Sequence, residues 1–216
     1  MTGEAFRDSD GDIVVHEMIR TIRDNAGRLS EIDGAIGDGD HGINMNKGFS
    51  LCAERLDAKP GGFLQALRTL GDVLETEIGG AMGPLYGTLF TEMALAAAGE
   101  PRITADLFAR MISRGTAAVM ELGGAQVGDK TMVDVLVPAA RELTRSVESG
   151  AGFKASLAVM AEAAAQGRES TRDIVARLGR ASRLGERSRG VHDAGASSCA
   201  LLLNAMARSM TALLLE

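Results

Sequence analysis

Apolar residues recur at helical spacing along most of this chain. Val15, Met18, Ile19, Ile22, Ala26 and Leu29 trace one face of a first helix, which the pattern ends near Ser30. A second helical pattern runs from about Ile43 to Leu56, and Pro60-Gly61-Gly62 breaks it before Phe63, Leu64, Leu67, Leu70, Val73 and Leu74 resume the period. Gly79-Gly80 stops the third helix, and an Ala-rich fourth spans Leu85 to Ala98. Thr104 is placed to cap a fifth, which carries Leu107, Phe108, Met111, Ile112, Val119 and Met120 and ends at Gly123-Gly124. Val133, Val135 and Val137 alternate as in a strand, but a lone strand has no partner, so Thr131 to Val137 reads as a helix with Pro138 in its first turns or at a kink. Phe153 to Ala165, roughly Ser170 to Leu178, and Gly195 to Leu215 complete eight or nine helices with short connections and no internal repeat or linker. The expected fold is all-α, one domain over residues 1–216.

Composition sharpens this picture. Aromatic residues make up 3% of the 216, with no Trp and one Tyr, so Ala, Leu, Val, Ile and the 11 Met must fill the core, which favours closely packed helices. With 29 acidic against 23 basic residues the net charge is −6, which argues against a nucleic acid as partner. The C-terminal apolar run is interrupted by Asn204 and Arg208, and no apolar signal follows the opening MTGEAFRDSDGD. A cytoplasmic protein with no membrane partner is expected. Cys52 and Cys199 lie in apolar stretches without metal-type spacing and read as buried reduced thiols.

Glycine changes the picture most. The 27 glycines gather at helix junctions, in 34–42, 79–87, 123–128 and 185–195. Helix C-caps account for one such cluster as well as a ligand does; four are harder to explain by capping alone. In the first cluster Asp33, Asp38 and Asp40 fall within eight residues of a Gly-punctuated stretch that runs into a helix. Three crowded anions repel unless a cation offsets them. Hard divalent ions take carboxylate oxygens, and three Asp can hold two Mg²⁺ only if an anion such as phosphate completes the shells. The helix start at Gly42 to Asn44 offers amide donors to the same anion.

Two other acidic readings fail. Asp8-Ser9-Asp10-Gly11-Asp12 opens like a calcium-binding loop, but Ile13 and Ile19 stand where Gly and Glu are required, so it reads as a solvated lead into the first helix. Asp38-Gly39-Asp40 lacks the preceding buried strand of an aspartyl-phosphate nucleophile. His16 and His192 show no nucleophilic partner nearby. Arg183, Arg187 and Arg189 form a basic cluster that is either a solvated loop or a surface for an anionic partner.

Four blocks carry a family resemblance over nearly the full length: Gly37-Asp38-Gly39-Asp40-His41-Gly42-Ile43-Asn44-Met45, Gly79-Gly80-Ala81-Met82-Gly83-Pro84-Leu85-Tyr86-Gly87, Gly128-Asp129-Lys130-Thr131-Met132, and Gly179-Arg180-Ala181-Ser182 with Leu184-Gly185-Glu186-Arg187-Ser188. In these the chain resembles the nucleotide-binding L subunits (DhaL, DAK2 domain) of dihydroxyacetone kinases. The resemblance implies a barrel of eight antiparallel helices holding ADP or ATP with two Mg²⁺ at one end. It assigns Asp33, Asp38 and Asp40 as metal ligands, through which catalysis runs. It assigns His41, Gly42, Ile43, Asn44, Ala81, Met82, Gly123, Met132, Arg180, Asp193, Ala194 and Gly195 to the nucleotide. Met82 stands where the family usually carries Ser, and Ala194 where Pro is common.

The implied function is phosphoryl transfer to a small keto sugar held by a separate K subunit, with either freely exchanging ATP or a phosphotransferase-system protein as donor. Two other readings stay open at this point: the nucleotide domain of an acyl (fatty acid) kinase, and a nucleotide-sensing regulatory module.

Overall fold

A computed structural model describes residues 4–214. Eight α-helices lie among them: α1 (Asp12–Ile36), α2 (His41–Ala58), α3 (Phe63–Glu77), α4 (Met82–Ala96), α5 (Ala105–Gly123), α6 (Val133–Glu148), α7 (Phe153–Ser170) and α8 (Ala194–Leu213). Each helix packs on the next in sequence, and α8 packs back on α1, so the series closes into a ring. One buried apolar face per helix fills the ring, with Met18, Phe49, Leu70, Phe90, Ile112 and Leu136 among the residues at or near zero exposure. No helix among the described residues is long and apolar enough to cross a membrane. Cys52 and Cys199 are buried free thiols, as expected.

Thr104 caps α5 by accepting the Leu107 amide hydrogen at 3.2 Å, and Gly124 ends that helix in the left-handed conformation. The valine-rich segment is helical from Val133, with Pro138 inside α6. Three expectations need correction. The first helix does not end near Ser30 but continues to Ile36, whose side chain is buried; Asp33 therefore sits on the last helical turn and not in a loop. The stretch from Ser170 to Leu178 is no helix: α7 runs on to Ser170, turns follow, and a short 3₁₀ segment occupies Arg180–Ser188. The last helix stops at Leu213, and Leu215 lies outside the described residues.

A further correction concerns the N-terminal lead, which is structured and anchored. Strand β1 (Ala5–Arg7) pairs antiparallel with β2 (Arg102–Thr104) in the α4–α5 connection, and Phe6 is buried between the rings of Phe63 and Phe153. The Asp8 carboxylate accepts the Leu64 amide hydrogen at 2.8 Å at the start of α3, and Glu4 accepts that of Lys154 at 3.0 Å at the start of α7. The all-α expectation thus holds apart from this two-stranded ribbon.

Helices joined by short turns reverse direction, so alternate connections of a closed ring fall at the same end. Residues 37–40, 78–81, 124–132 and 171–193 lie at one end, and these are the glycine-rich junctions. The N-terminal ribbon ties together the other three connections at the opposite end.

Gly42 sets how closely α1 and α2 approach: a Cβ there would lie 2.0 Å from the Ala26 carbonyl oxygen and 2.7 Å from Ser30 N. Both are backbone atoms, which cannot step aside. Gly27, exposed in α1, has nothing within 4 Å of an added Cβ. Urea denaturation is expected to show Gly42→Ala losing about 3 kcal/mol or more and Gly27→Ala gaining about 0.5–1 kcal/mol. Equal effects would mean that the helix pair is loosely packed.

Candidate functional site

The glycine-rich end gathers four helix N-termini, those of α2, α4, α6 and α8, because each even-numbered helix starts there. Each brings the positive end of a helix dipole, an environment suited to a polyanion. Set into it is a cluster of opposite sign. Asp33, Asp38 and Asp40 each offer a carboxylate oxygen, and the three atoms lie within 4.8 Å of one another. Asp33, on the last turn of α1, is half-buried; Asp38 and Asp40 are exposed. One Asp33 oxygen accepts the His41 amide hydrogen at 3.3 Å, while the other lies 2.4 Å from where a Cβ on residue 37 would stand, so only glycine fits there.

A single protein cation meets the cluster among the described residues: the Arg180 guanidinium pairs with Asp38. Both partners are substantially exposed, 62% and 41%, so this ion pair contributes little stability and leaves Arg180 free to turn to another anion. Three convergent hard oxygen donors, open to solvent on one side and mutually repulsive without a cation, fit a divalent ion such as Mg²⁺.

Behind the cluster a buried hydrogen-bond chain joins three helices. His41 Nε2 lies 2.9 Å from Ser198 Oγ, which lies 2.7 Å from the Tyr86 hydroxyl; both hydroxyl oxygens also lie 3.1 Å from the Gly195 carbonyl oxygen, which accepts from one of them. Burial pulls the His41 imidazole down to about 4 against the opposing pull of Asp33, so the ring is neutral at neutral pH. His41 is thus held by α8 and α4, with its backbone amide rather than a free ring turned to Asp33. Neither Tyr86 nor Ser198 stood out as a site residue in the sequence, although Tyr86 is the one tyrosine and lies in a glycine-rich block.

The remaining expected residues frame this end. Ala81 precedes α4 and Met82 opens it. Gly123 closes α5 beside Leu85, and Met132 is buried at the start of α6, next to Gly195. Asp193 caps α8, accepting the Ala196 amide hydrogen at 2.7 Å. Ala194 is the first residue of that helix, where a proline would also fit. Gly42 is buried against α1, while Ile43 is exposed and Asn44 half-buried on the first turn of α2. In the basic cluster Arg189 stays exposed and binds Glu186 and the Asp173 carbonyl, and His192 lies 2.9 Å from Glu169.

Comparison with known proteins decides the family. The DAK2 domain matches residues 35–208. This chain belongs to the DAK2 domain family. Among its relatives, the ADP-binding subunit DhaL of the PEP-dependent dihydroxyacetone kinase of Escherichia coli is 40% identical over 182 residues, covering 83% of this chain and 86% of the relative. The corresponding subunit of the PEP-dependent dihydroxyacetone kinase 1 of Listeria innocua is 38% identical over 186 residues, covering 86% and 88%. The fold is shared with the dihydroxyacetone kinase from C. freundii solved in complex with AMP-PNP and Mg²⁺: the TM-score is 0.69 at 24% identity, over 92% of this chain and 33% of that one. The DAK2 match takes in Asp38 and Asp40 of the carboxylate cluster and reaches all four glycine-rich junctions; Asp33 lies two residues before its start.

Burial pushes the Asp193 carboxyl up to about 6, against the Ala196 amide and the Lys130 charge. The folded state then holds a proton that the unfolded state releases, so this group's contribution to stability falls as pH rises from about 4 to about 6. His41 has the opposite sign: its depressed value makes stability rise across the window from about 4 to 6.5. Asp193→Asn keeps the cap and removes only the first effect. Urea titrations are expected to show the variant gaining on wild type by on the order of 2 kcal/mol between about pH 4 and pH 7. Parallel curves would show that Asp193 titrates as an ordinary carboxylate.

Proposed function

We propose that this chain is the nucleotide-holding subunit of a dihydroxyacetone-type kinase. It would bind ADP or ATP with two Mg²⁺ and serve phosphoryl transfer to a small keto sugar presented by a separate substrate-binding K subunit. The observation that carries the reading is the convergence of Asp33, Asp38 and Asp40 at the end where four helices begin, in a chain whose relatives of similar length are named ADP-binding subunits.

Bound there, Mg²⁺ would draw off charge from the phosphate oxygens and bridge them to the protein. The protein's own work is positioning. Asp33, Asp38 and Asp40 would hold the metal ions, with Asp33 fixed by the His41 amide. The Gly42 and Ile43 amides on the first turn of α2, between His41 and Asn44, and those at Ala81 and Met82 would face phosphate oxygens. Arg180, held beside Asp38, would offset the remaining negative charge. Gly123, Met132, Asp193, Ala194 and Gly195 would line the nucleoside side, where the buried Met132 offers a soft apolar contact to a flat base. With Met82 in place of a hydroxyl-bearing residue, amides rather than a side-chain donor serve the phosphates at α4.

The relatives' PEP-dependent names favour a nucleotide that stays bound and is recharged in place by a phosphotransferase-system protein. A cytoplasmic location follows from such a donor.

In calorimetry, ADP is expected to bind with Mg²⁺ present and to weaken at least about a hundredfold on adding chelator or on Asp38→Asn. Binding that is indifferent to both would overturn the site. Purified protein should carry ADP through gel filtration; an empty pocket after dilution would favour exchange of free ATP. A complete lack of sugar phosphate with any K subunit and donor would point instead to a sensing module.

A further inference from the structure

Lys130 has no part in the site proposed above, yet it is buried and its ammonium is fully bonded. It is 2% exposed and, among the described residues, the one non-glycine with positive φ, at 64°. Its Nζ donates to the carbonyl oxygens of Val191 at 2.5 Å, Thr171 at 2.6 Å and Ile174 at 3.2 Å. An ammonium has three N–H groups, and all three end on backbone. Burial lowers its pKa, with Asp193 pulling it back up. A charge so placed persists only where every donor is matched.

The three carbonyls are not scattered. Thr171 and Ile174 lie where the chain leaves α7, and Val191 where it returns to α8; between them runs the long excursion that carries Arg180. Other bonds cross the same base: Gly190 N–H to the Arg172 carbonyl at 2.7 Å, Ala176 N–H to Ser188 Oγ at 2.9 Å, and Asp193 N–H to Thr171 Oγ1 at 3.0 Å. The loop presenting Lys130 is itself fixed, since the buried Asp134 carboxylate accepts the amide hydrogens of Gly128 at 2.6 Å and Thr131 at 2.8 Å. Arg177 N–H reaches the Asp129 carbonyl at 3.1 Å. A continuous path of hydrogen bonds therefore leads from α6 through Lys130 to the roots of the excursion that carries Arg180.

We propose that Lys130 is a positioning residue, whose ammonium draws together both roots of the 171–193 excursion and so sets where Arg180 stands over Asp38. Its consequence for nucleotide binding rests on the function proposed above.

The test is a double-mutant cycle on Mg²⁺-dependent ADP affinity with Lys130→Met and Arg180→Gln. Each single change should weaken binding about tenfold, and the pair no more than about threefold beyond either, because Lys130 acts through Arg180. A full multiplicative loss of about a hundredfold would overturn the proposal, since it would mean that Lys130 acts independently of Arg180. If Lys130→Met does not fold, Lys130→Gln, which keeps two N–H donors, takes its place in the cycle. Reductive methylation of the native wild-type protein gives a second measurement: the exposed Lys47, Lys59 and Lys154 should react while Lys130 is spared. Lys130 reacting as fast as these would also overturn it. Should wild type bind no ADP, the functional reading fails by itself; methylation, together with tryptic cleavage at Arg177 and Arg183, faster in the Lys130 variant if the anchor is real, then decides the proposal.

Discussion

The architecture depends on a ring of eight helices closing with α8 against α1. An even count lets neighbours alternate in direction all the way round, which sends every second connection to the same end. That single constraint assembles four glycine-rich junctions, distant in sequence, into one region. It also sorts the helix dipoles, since four N-termini meet there beside the C-terminal turn of α1 that carries Asp33. The region is therefore electrostatically divided, with amides ready for an anion next to carboxylates ready for a cation. A metal-bound polyphosphate carries both signs in the matching arrangement.

Precision at this end comes from backbone approach and from buried polar bonds, not from surface ion pairs. Gly42 lets α2 begin against Ala26 and Ser30, and Gly37 leaves space beside an Asp33 oxygen. The Tyr86–Ser198–His41 chain fixes the start of α2 from two further helices, so that its amides are oriented before any ligand arrives. Arg180–Asp38, by contrast, is an exposed pair that can open at little cost.

Most helices were legible because their apolar stripes are long and regular, and the carboxylates because all three fall within eight residues. The misses share a cause: long-range contacts override local pattern. The apolar stripe of α1 stops at Leu29 and suggests an end near Ser30, but the helix runs on to the buried Ile36. Ile174, Val175 and Leu178 imitate a helical period, yet the carbonyls of Thr171 and Ile174 are captured by Lys130, so no helix forms. The N-terminal lead looks solvated until Ile103, far along the chain, supplies a strand partner for Phe6. Ser198 is invisible as a site residue for the same reason, as it lies 157 positions from His41.

The ribbon that Ala5–Arg7 forms with Arg102–Thr104, with the carboxylates of Glu4 and Asp8 seated on the amides of Lys154 and Leu64, closes the base of the packed barrel, opposite the carboxylate cluster. The glycine-rich end, with its carboxylates, is the opposite face. A protein tethered to a support through the neighbourhood of Ala5 would accordingly stand upright, with that face turned outward to whatever visits from solution.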